Sequence, residues 1–269
     1  MKRGYLYIAT GNKYLDEAII SATSLKKCNP NAHITLITDE KINNKIFDSI
    51  VIKNNDSINY KWKSGIQYKV ESLLLSPYEK TFFIDTDTYF IEDSAELFDL
   101  LEYHDLQIAH APDDKTKVVI DHKEFEGYYP YNTGVIVFNN NPKIKKLFQD
   151  WLSIYKRKFD IYPHDQAPFM EALLINDLKI HVFHQIYNFR LPYYIAIPGL
   201  KVKILHGRTN DFNLIANKIN KHLYNRVWVS KQPIILNKPK KSFKSILISL
   251  TPNYLKVFIK KMLKPGSSK

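Results

Sequence analysis

Apolar residues in the first half of the chain form short runs that alternate with stretches of helical spacing. The runs predict buried strands at residues 5–9, 33–38, 49–52 and 81–84. The stretches between them predict two helices, whose inner faces are formed by Leu15, Ala18, Ile19, Ala22 and Leu25 and by Val70, Leu73 and Leu74. Such alternation is typical of an α/β fold, in which an open, parallel, doubly wound sheet carries helices on both faces.

The second half of the chain contains fewer elements with a clear pattern. A strand is predicted at 135–138, helices at 142–158 and 165–175, and a short strand at 202–205. Residues 112–130 lack such a pattern and are predicted to form a long loop, a kind of segment that often carries function.

The net charge of +12 is concentrated toward the C-terminal end of the chain. Residues 212–269 hold 13 Lys and Arg residues and no Asp or Glu, so residues 1–211 hold 26 basic and 27 acidic residues. A near-neutral body argues against a nucleic-acid groove through the main fold. The content of 45% hydrophobic and 25% charged residues is typical of a globular protein and excludes disorder throughout. Because Cys28 is the single cysteine, an internal disulfide and a cysteine-based zinc site are excluded.

Residues 238–269 are predicted to form a basic tail that follows a domain of residues 1–237. Apolar residues recur in the tail at helical spacing on both sides of Pro252, with lysines on the other face, which predicts a cationic amphipathic helix. Such helices lie on anionic membrane surfaces, and this is the favoured partner. The main alternative is a helix docked on the protein's own core, and nucleic acid is a minor third alternative. No stretch reaches the ~18 apolar residues that span a bilayer, so we expect a cytoplasmic protein, peripheral at the inner face of the membrane.

Two carboxylates directly follow the predicted strand at 81–84, in the sequence Asp85-Thr86-Asp87. Ligands of an open α/β sheet bind at the carboxyl ends of its strands, and residues i and i+2 of an extended segment point to the same side. Paired carboxylates are hard oxygen ligands that suit Mg²⁺ or Mn²⁺ carrying a diphosphate. A solvated turn is the alternative, because Asp-x-Asp alone is common.

Three further polar clusters lie at predicted strand ends or helix starts. Asn132-Thr133-Gly134 precedes the strand at 135–138 and could form only a turn. His164-Asp165-Gln166 opens a helix, where Asp165 could serve only as the N-cap. In His206-Gly207-Arg208 the histidine could ligate a metal and the arginine could bind phosphate, or both could be surface residues. Together, the four clusters favour one functional site.

The order of these motifs resembles that of the GT-A-type glycosyltransferases. An apolar strand followed by Asp-Thr-Asp, then Asn-Thr-Gly-Val, Asp-Gln and His-Gly is most similar to the retaining glycogenin and lipopolysaccharide galactosyltransferase group and to related bacterial nucleotide-diphospho-sugar transferases. The resemblance covers residues 4–208. It implies a GT-A-type, Rossmann-like open sheet and a hexosyltransferase of polysaccharide biosynthesis that uses a nucleotide-sugar donor.

The resemblance also implies a role for each motif residue. Asp85, Asp87 and His206 would bind the Mn²⁺ or Mg²⁺ ion that bridges the diphosphate of the donor. The residues that would surround the transferred sugar, and that we expect to be catalytic, are Asn132, Asp165 and Gln166.

The remaining implied roles concern binding of the donor. Ala9, Thr10 and Gly11 would line the nucleotide, and Tyr14 would stack on the base. Asp39 would contact uracil or ribose, and Lys69 would contact the donor sugar or the diphosphate. The Lys-Pro-Trp that often follows His-Gly in this group is absent here, so Arg208 is the candidate cation for the leaving phosphate.

The implied reaction is metal-dependent transfer of a sugar from a UDP-sugar to a glycan or lipid-linked saccharide. Retention of configuration rests on the Asp-Gln resemblance; the leaving phosphate would then deprotonate the acceptor while the Gln166 oxygen stabilises the oxocarbenium-like centre. Inversion would instead need an Asp or Glu base. The alternatives are a non-catalytic carbohydrate-binding or membrane-adaptor protein and a sugar-nucleotidyltransferase, which the glycine-poor segment Ala9-Thr10-Gly11-Asn12-Lys13 disfavours.

Overall fold

A computed structural model describes residues 2–54, 62–112, 117–120, 123–126, 129–158, 164–229 and 232–236. In chain order, its strands are β1 (Arg3–Ala9), β2 (Ile34–Thr38), β3 (Ser49–Ile52), β4 (Lys80–Ile84), β5 (Thr88–Phe90), β6 (Leu106–His110), β7 (Lys117–Ile120), β8 (Lys123–Glu126), β9 (Tyr131–Asn139), β10 (Ile180–Val182), β11 (Phe189–Arg190), β12 (Ile195–Ile197), β13 (Ile204–His206), β14 (Arg226–Val229) and β15 (Gln232–Ile235). Its α-helices are α1 (Asn12–Cys28), α2 (Trp62–Leu73), α3 (Pro142–Arg157), α4 (Gln166–Leu174) and α5 (Phe212–Ile219), and 3-10 segments lie at Ala95–Glu102 and Gln185–Tyr187.

Seven of the described strands form the central sheet, in the order β3-β2-β1-β4-β9-β6-β10. Strands β3, β2, β1 and β4 are parallel to one another, which confirms the α/β class and the parallel arrangement predicted for the first half of the chain. Strand β9 runs antiparallel to both of its neighbours, so the sheet is mostly rather than wholly parallel. The described residues between β6 and β9 contain a hairpin and no helix, and antiparallel strands need no crossover helix between them.

The prediction of a loop over residues 112–130 is wrong in part. Strands β7 and β8 lie within this range and pair as an antiparallel hairpin. The apolar run Val118-Val119-Ile120 was the local signal for a strand. The short strand predicted at 202–205 is present but shifted, because β13 extends to His206.

The core lies on both faces of the central sheet, because successive side chains of a strand point to opposite faces. In β1, Tyr5 and Tyr7 belong to the apolar cluster that includes α1 and the Ala95–Glu102 segment. Leu6 and Ile8 belong to the cluster on the other face, with α2, α3 and α4. The predicted inner face of α1 is confirmed, with these residues buried or half-buried: Leu15, Ala18, Ile19, Ala22 and Leu25.

Two three-stranded sheets are built from β5 and from strands of the C-terminal half of the described chain. Strand β13 pairs with β11 and with β5, and β14 pairs with β12 and β15. A separate apolar cluster packs around Trp228, whose Nε1 donates a hydrogen bond to the Leu191 carbonyl oxygen at 2.9 Å. The pairing of β13 with β5 and the packing around Trp228 place the end of β13 beside the segment between β4 and β5.

The predicted basic tail, residues 238–269, lies outside the described residues, as does the predicted boundary at residue 237. Within the part of the chain that the structure describes, no helix has the length and apolar character required to cross a membrane. The division into a domain and a tail therefore stays a prediction.

Gly4 lies directly against the ring of Tyr78, and this contact leads to a prediction about stability. A Cβ atom at Gly4 would lie 2.2 Å from Tyr78 Cε1. The Tyr78 hydroxyl is hydrogen-bonded to His33 Nδ1 at 2.7 Å and to Thr35 Oγ1 at 2.6 Å, so the ring is held in place. We expect Gly4→Ala to lower the free energy of unfolding by about 1–3 kcal/mol, measured by denaturant unfolding.

The matched control is the same substitution without the Tyr78 ring. In a Tyr78→Ala background, Gly4→Ala should lower the free energy of unfolding by clearly less than it does in the wild type, because the ring atoms that the new Cβ would meet are gone. Equal costs in the two backgrounds would show that contact with Tyr78 is not the reason for glycine at this position.

Candidate active site

A cavity of about 570 Å³ opens at the carboxyl ends of β1 and β4. This is the edge at which ligands bind in open α/β sheets. The cavity is lined by these residues predicted from the sequence: Thr10, Tyr14, Lys69, Asp85, Asp87, Asn132, Asp165, Gln166, His206 and Arg208. Folding therefore brings the four separate motifs together, along with residues from α1, α2 and the loop after β1.

Ala9, Gly11 and Asp39, which were predicted to contact the nucleotide, are not among the described residues that line the cavity. Ala9 is 1% exposed and packs in the core. The Asp39 carboxylate accepts hydrogen bonds from Thr10 Oγ1 at 2.5 Å and from the Gly11 amide at 2.8 Å. Asp39 thus holds the loop after β1, from which Thr10 reaches the cavity. Nucleotide contacts of Ala9, Gly11 and Asp39 stay predictions.

Asp85, Asp87 and His206 form a candidate metal site. Each offers one ligand atom, and these atoms all lie within 4.8 Å of one another. His206 Nε2 lies 3.3 Å from Asp87 Oδ1 and 3.9 Å from Asp85 Oδ2. The pairing of β13 with β5 places His206 opposite Thr88, which directly follows Asp87. Two carboxylates and an imidazole are a donor set that fits Mn²⁺ or Mg²⁺.

Gly134 of β9 lies directly behind the candidate metal site. A Cβ atom at this position would lie 2.1 Å from His206 Cε1 and 2.7 Å from Asp85 Oδ2. The backbone can approach both side chains only because the residue is glycine. The Gly134 carbonyl oxygen also accepts a hydrogen bond from the Asp85 amide at 2.7 Å, which fixes the start of the Asp-Thr-Asp segment against β9.

Asn188, which the sequence analysis did not single out, orients His206. Asn188 is fully buried, and its Nδ2 donates to Asn132 Oδ1 at 2.9 Å. Its Oδ1 then accepts from His206 Nδ1 at 2.7 Å. A proton on Nδ1 leaves the lone pair of His206 Nε2 directed toward the two aspartates, as metal ligation requires. Asn132, predicted to contact the sugar, lines the cavity and also anchors this chain of hydrogen bonds.

The charges at the candidate metal site favour the metal-binding forms of Asp87 and His206 but not that of Asp85. Burial raises the pKa of Asp85 above its ordinary value, and nearby positive charges offset this only in part. Burial also acts on Asp87, but His206 and the nearby guanidinium groups outweigh it and hold the pKa of Asp87 below its ordinary value. Burial and the charge of Arg190 lower the pKa of His206. We therefore expect a neutral imidazole and an ionised Asp87 at neutral pH.

Lys69 connects the candidate metal site with the Asp-Gln segment. Its Nζ lies 3.1 Å from Asp85 Oδ1 and 3.2 Å from Asp165 Oδ2. Burial opposes the charge of Lys69, but the carboxylates of Asp165 and Asp85 outweigh it and raise the pKa of Lys69 to about 12. Asp165 also accepts from Thr133 Oγ1 at 2.8 Å and makes no side-chain cap hydrogen bond to α4. Its carboxylate therefore serves this network rather than the helix start.

Arg208, the predicted phosphate-binding cation, is paired with a residue of α1. Its Nε lies 2.7 Å from Glu17 Oε1 and its second terminal nitrogen lies 3.0 Å from Glu17 Oε2. Glu17 also accepts from Thr86 Oγ1 at 3.0 Å. Glu17 could not be recognised from the sequence, because it lies on a predicted helix with no motif around it. Arg190 of β11 also lines the cavity and was likewise missed.

The fold and the site define the class of the protein. A mostly parallel α/β sheet that carries an Asp-Thr-Asp segment and a histidine at its carboxyl edge is the arrangement of a GT-A-type glycosyltransferase. A family model described as nucleotide-diphospho-sugar transferase matches residues 75–236, which is more than half of the chain. The chain belongs to this family, and the protein is a glycosyltransferase.

Solved structures of glycosyltransferases share the fold at low sequence identity. The galactosyltransferase LgtC, in complex with donor and acceptor sugar analogs, is 12% identical over 77% of this chain and 87% of its own, with a TM-score of 0.56. GlyE of Streptococcus pneumoniae TIGR4 is 15% identical over 100% of this chain and 66% of its own, with a TM-score of 0.55. Mouse xyloside xylosyltransferase 1 is 13% identical over 78% of this chain and 99% of its own, with a TM-score of 0.51. No curated protein matches the sequence significantly.

The role of Asn188 leads to a prediction about metal binding. Asn188→Ala removes the acceptor for the His206 Nδ1 proton, so we expect Mn²⁺ affinity to fall by about 10–100-fold in calorimetric titration. Asn188→Asp keeps that acceptor and should bind Mn²⁺ more tightly than Asn188→Ala. Wild-type affinity in a folded Asn188→Ala variant would contradict the orienting role.

Proposed function

We propose that the protein is a metal-dependent hexosyltransferase that moves a sugar from a UDP-sugar to a glycan or glycolipid acceptor with retention of configuration. The observation that carries the proposal is the convergence of Asp85, Asp87 and His206 in one cavity with Lys69 and Asp165. Family membership supplies the nucleotide-sugar donor class. Such a set of carboxylate, imidazole and ammonium groups suits a nucleoside diphosphate bound with a divalent ion.

Asp85, Asp87 and His206 would hold the divalent ion. When bound, it supplies Lewis-acid stabilisation of the charge that develops on the leaving diphosphate. The contribution of the chain is preorganisation: Asn188 fixes the imidazole, and the Gly134 backbone fixes Asp85. A site that is already oriented loses little energy to rearrangement during the reaction.

The residues near the loop after β1 suit the nucleotide. Thr10 and Tyr14 line the cavity at this end, and the Tyr14 ring offers a flat apolar surface for a base. Asp39 would affect nucleotide binding indirectly, because its carboxylate accepts a hydrogen bond from Thr10 Oγ1 and so holds the loop after β1 in place. The Arg208 guanidinium lies 5.7 Å from the Tyr14 ring centroid, which places a positive charge at the same end of the cavity.

The state of the cavity carboxylates supports retention. An inverting enzyme needs an Asp or Glu base that is free to take the acceptor proton. Among the described residues that line the cavity, Asp85 and Asp87 belong to the candidate metal site, and Asp165 is paired with Lys69 and Thr133. Retention lets the leaving phosphate accept the proton, with the Gln166 side chain stabilising the sugar cation.

Loss of one metal ligand tests the proposed function. We expect Asp87→Ala to abolish Mn²⁺-dependent donor hydrolysis and sugar transfer, because one carboxylate of the metal site is removed. The measurement is release of nucleoside diphosphate across a panel of nucleotide sugars with Mn²⁺, in which the wild type should prefer a UDP-sugar.

The control for this experiment is Asp99→Asn. Asp99 is a largely exposed carboxylate that lies 3.6 Å from Arg3, and it is not among the described residues that line the cavity. Asp99→Asn should turn over donor at the wild-type rate. Turnover by Asp87→Ala at that same rate would refute the metal role of Asp87.

Residues 238–269 are proposed as a membrane-binding tail behind a catalytic domain of residues 1–237. The support is sequence pattern: apolar residues at helical spacing, with lysines and no acidic residue. In that case the enzyme acts at the cytoplasmic face of a membrane, where a glycolipid acceptor would be presented.

Removal of residues 238–269 tests the tail separately from the chemistry. We expect the truncated protein to hydrolyse donor at the wild-type rate but to lose sedimentation with anionic liposomes, because each nearby Lys adds about 1 kcal/mol of attraction to such surfaces. The matched measurement uses neutral liposomes, to which neither protein should bind. Undiminished binding of the truncated protein to anionic liposomes would exclude the tail as the anchor.

A further inference from the structure

The Lys and Arg residues that line the cavity differ in how their charges are compensated. Among the described lining residues they are Lys69, Arg190 and Arg208. Lys69 lies between two carboxylates, and Arg208 is paired with the Glu17 carboxylate through two nitrogens. The Arg190 side chain forms no ion pair and no hydrogen bond with any residue in the described part of the chain, and its Nε is buried without an acceptor.

Arg190 lies on the strand next to the one that carries His206. Strands β11 and β13 pair in parallel, with Arg190 directly beside His206 in the register. Neighbouring residues in register project from the same face of a sheet. The Arg190 side chain therefore emerges beside the imidazole, where its charge also acts on Asp87.

A half-buried guanidinium without an anion at ion-pair distance is an unfavourable arrangement for the protein alone. Burial removes part of the hydration of the guanidinium. The guanidinium also lies over the ring of Tyr193, 5.9 Å from the ring centroid, which gives it a cation–π contact. The planar fork of an arginine matches the paired oxygens of a phosphate or carboxylate. An oxyanion in the cavity would therefore satisfy Arg190.

We propose that Arg190, rather than Arg208, is the cation of the cavity that binds an oxyanion of the substrate complex. The inference rests on the proposed function, because that function brings anionic substrates to this cavity. The oxyanion belongs either to the diphosphate of the donor or to an acidic group on the acceptor. The charge of Arg208 is already compensated, because two of its nitrogens contact Glu17 and its remaining terminal nitrogen lies 3.7 Å from Asp87 Oδ2.

Calorimetric titrations of the full-length protein distinguish the two sources. The first titration is UDP with Mn²⁺; the second is inorganic sulfate into protein saturated with UDP and Mn²⁺, as a probe for an acidic acceptor group. If the diphosphate is bound, Arg190→Gln weakens UDP binding by about tenfold or more. If the acceptor group is bound, UDP affinity is unchanged, and Arg190→Gln abolishes the sulfate binding that the wild type shows.

Three further variants complete the design. Arg190→Lys keeps the charge but not the fork, so it should lie between the wild type and Arg190→Gln in the affected titration. Arg3→Gln removes an exposed arginine elsewhere and should change neither titration. Arg208→Gln tests the rival cation. Thermal unfolding of Arg190→Gln should occur at or above the wild-type temperature, because no internal hydrogen bond or ion pair is lost and a half-buried charge is removed.

The inference is overturned if Arg190→Gln matches the wild type in both titrations, whether or not sulfate binds. It is also overturned if the loss of binding occurs in Arg208→Gln alone. Failure of the proposed function gives a different result, because the wild type itself would then bind no UDP in the presence of Mn²⁺.

Discussion

The pairing of β13 with β5 is the constraint on which the site depends. It joins a strand near the end of the described chain to the segment directly after Asp87, and so places His206 against both aspartates. The hydrogen bonds of that short ladder therefore decide whether a metal site exists at all. The apolar cluster around Trp228 supports β13 from behind, so packing in the C-terminal part of the fold has a direct consequence for the candidate chemistry.

Around this ladder, most charged and polar side chains are paired with a specific neighbour. Lys69 lies between Asp85 and Asp165, and its single positive charge offsets part of the repulsion between the two carboxylates in a confined cavity. Asn188 uses both ends of its amide, one toward Asn132 and one toward His206, so a neutral side chain sets the direction of the imidazole. Arg208 and Glu17 compensate each other. The one charge without a partner in this described network, on Arg190, is consistent with a site prepared for an anion.

Sequence patterns predicted the buried parts of this structure better than its periphery. Strands β1, β2 and β4 are covered on both faces, so their apolar runs are continuous and easy to recognise. Strands β5 and β11, of three and two residues, are too short to leave such a pattern. The motifs predicted most of the cavity lining because they directly adjoin strand ends. Asn188, Glu17 and Arg190 could not be found this way, since their proximity to the site arises from pairing and packing of distant segments.

The close approach of Gly134 to His206 and Asp85 divides the cavity into two kinds of surface. On the β9 side, main-chain atoms lie directly against the candidate metal ligands, without intervening side chains that could adopt other rotamers. On the opposite sides, α4, β11 and the loop after β1 present side chains of varied size and charge. The geometry of the candidate metal site is therefore set by the backbone of the sheet, whereas the other walls of the cavity are open to change by single substitutions. A new sugar or acceptor could be accommodated by substitutions that leave Asp85, Asp87 and His206 in place.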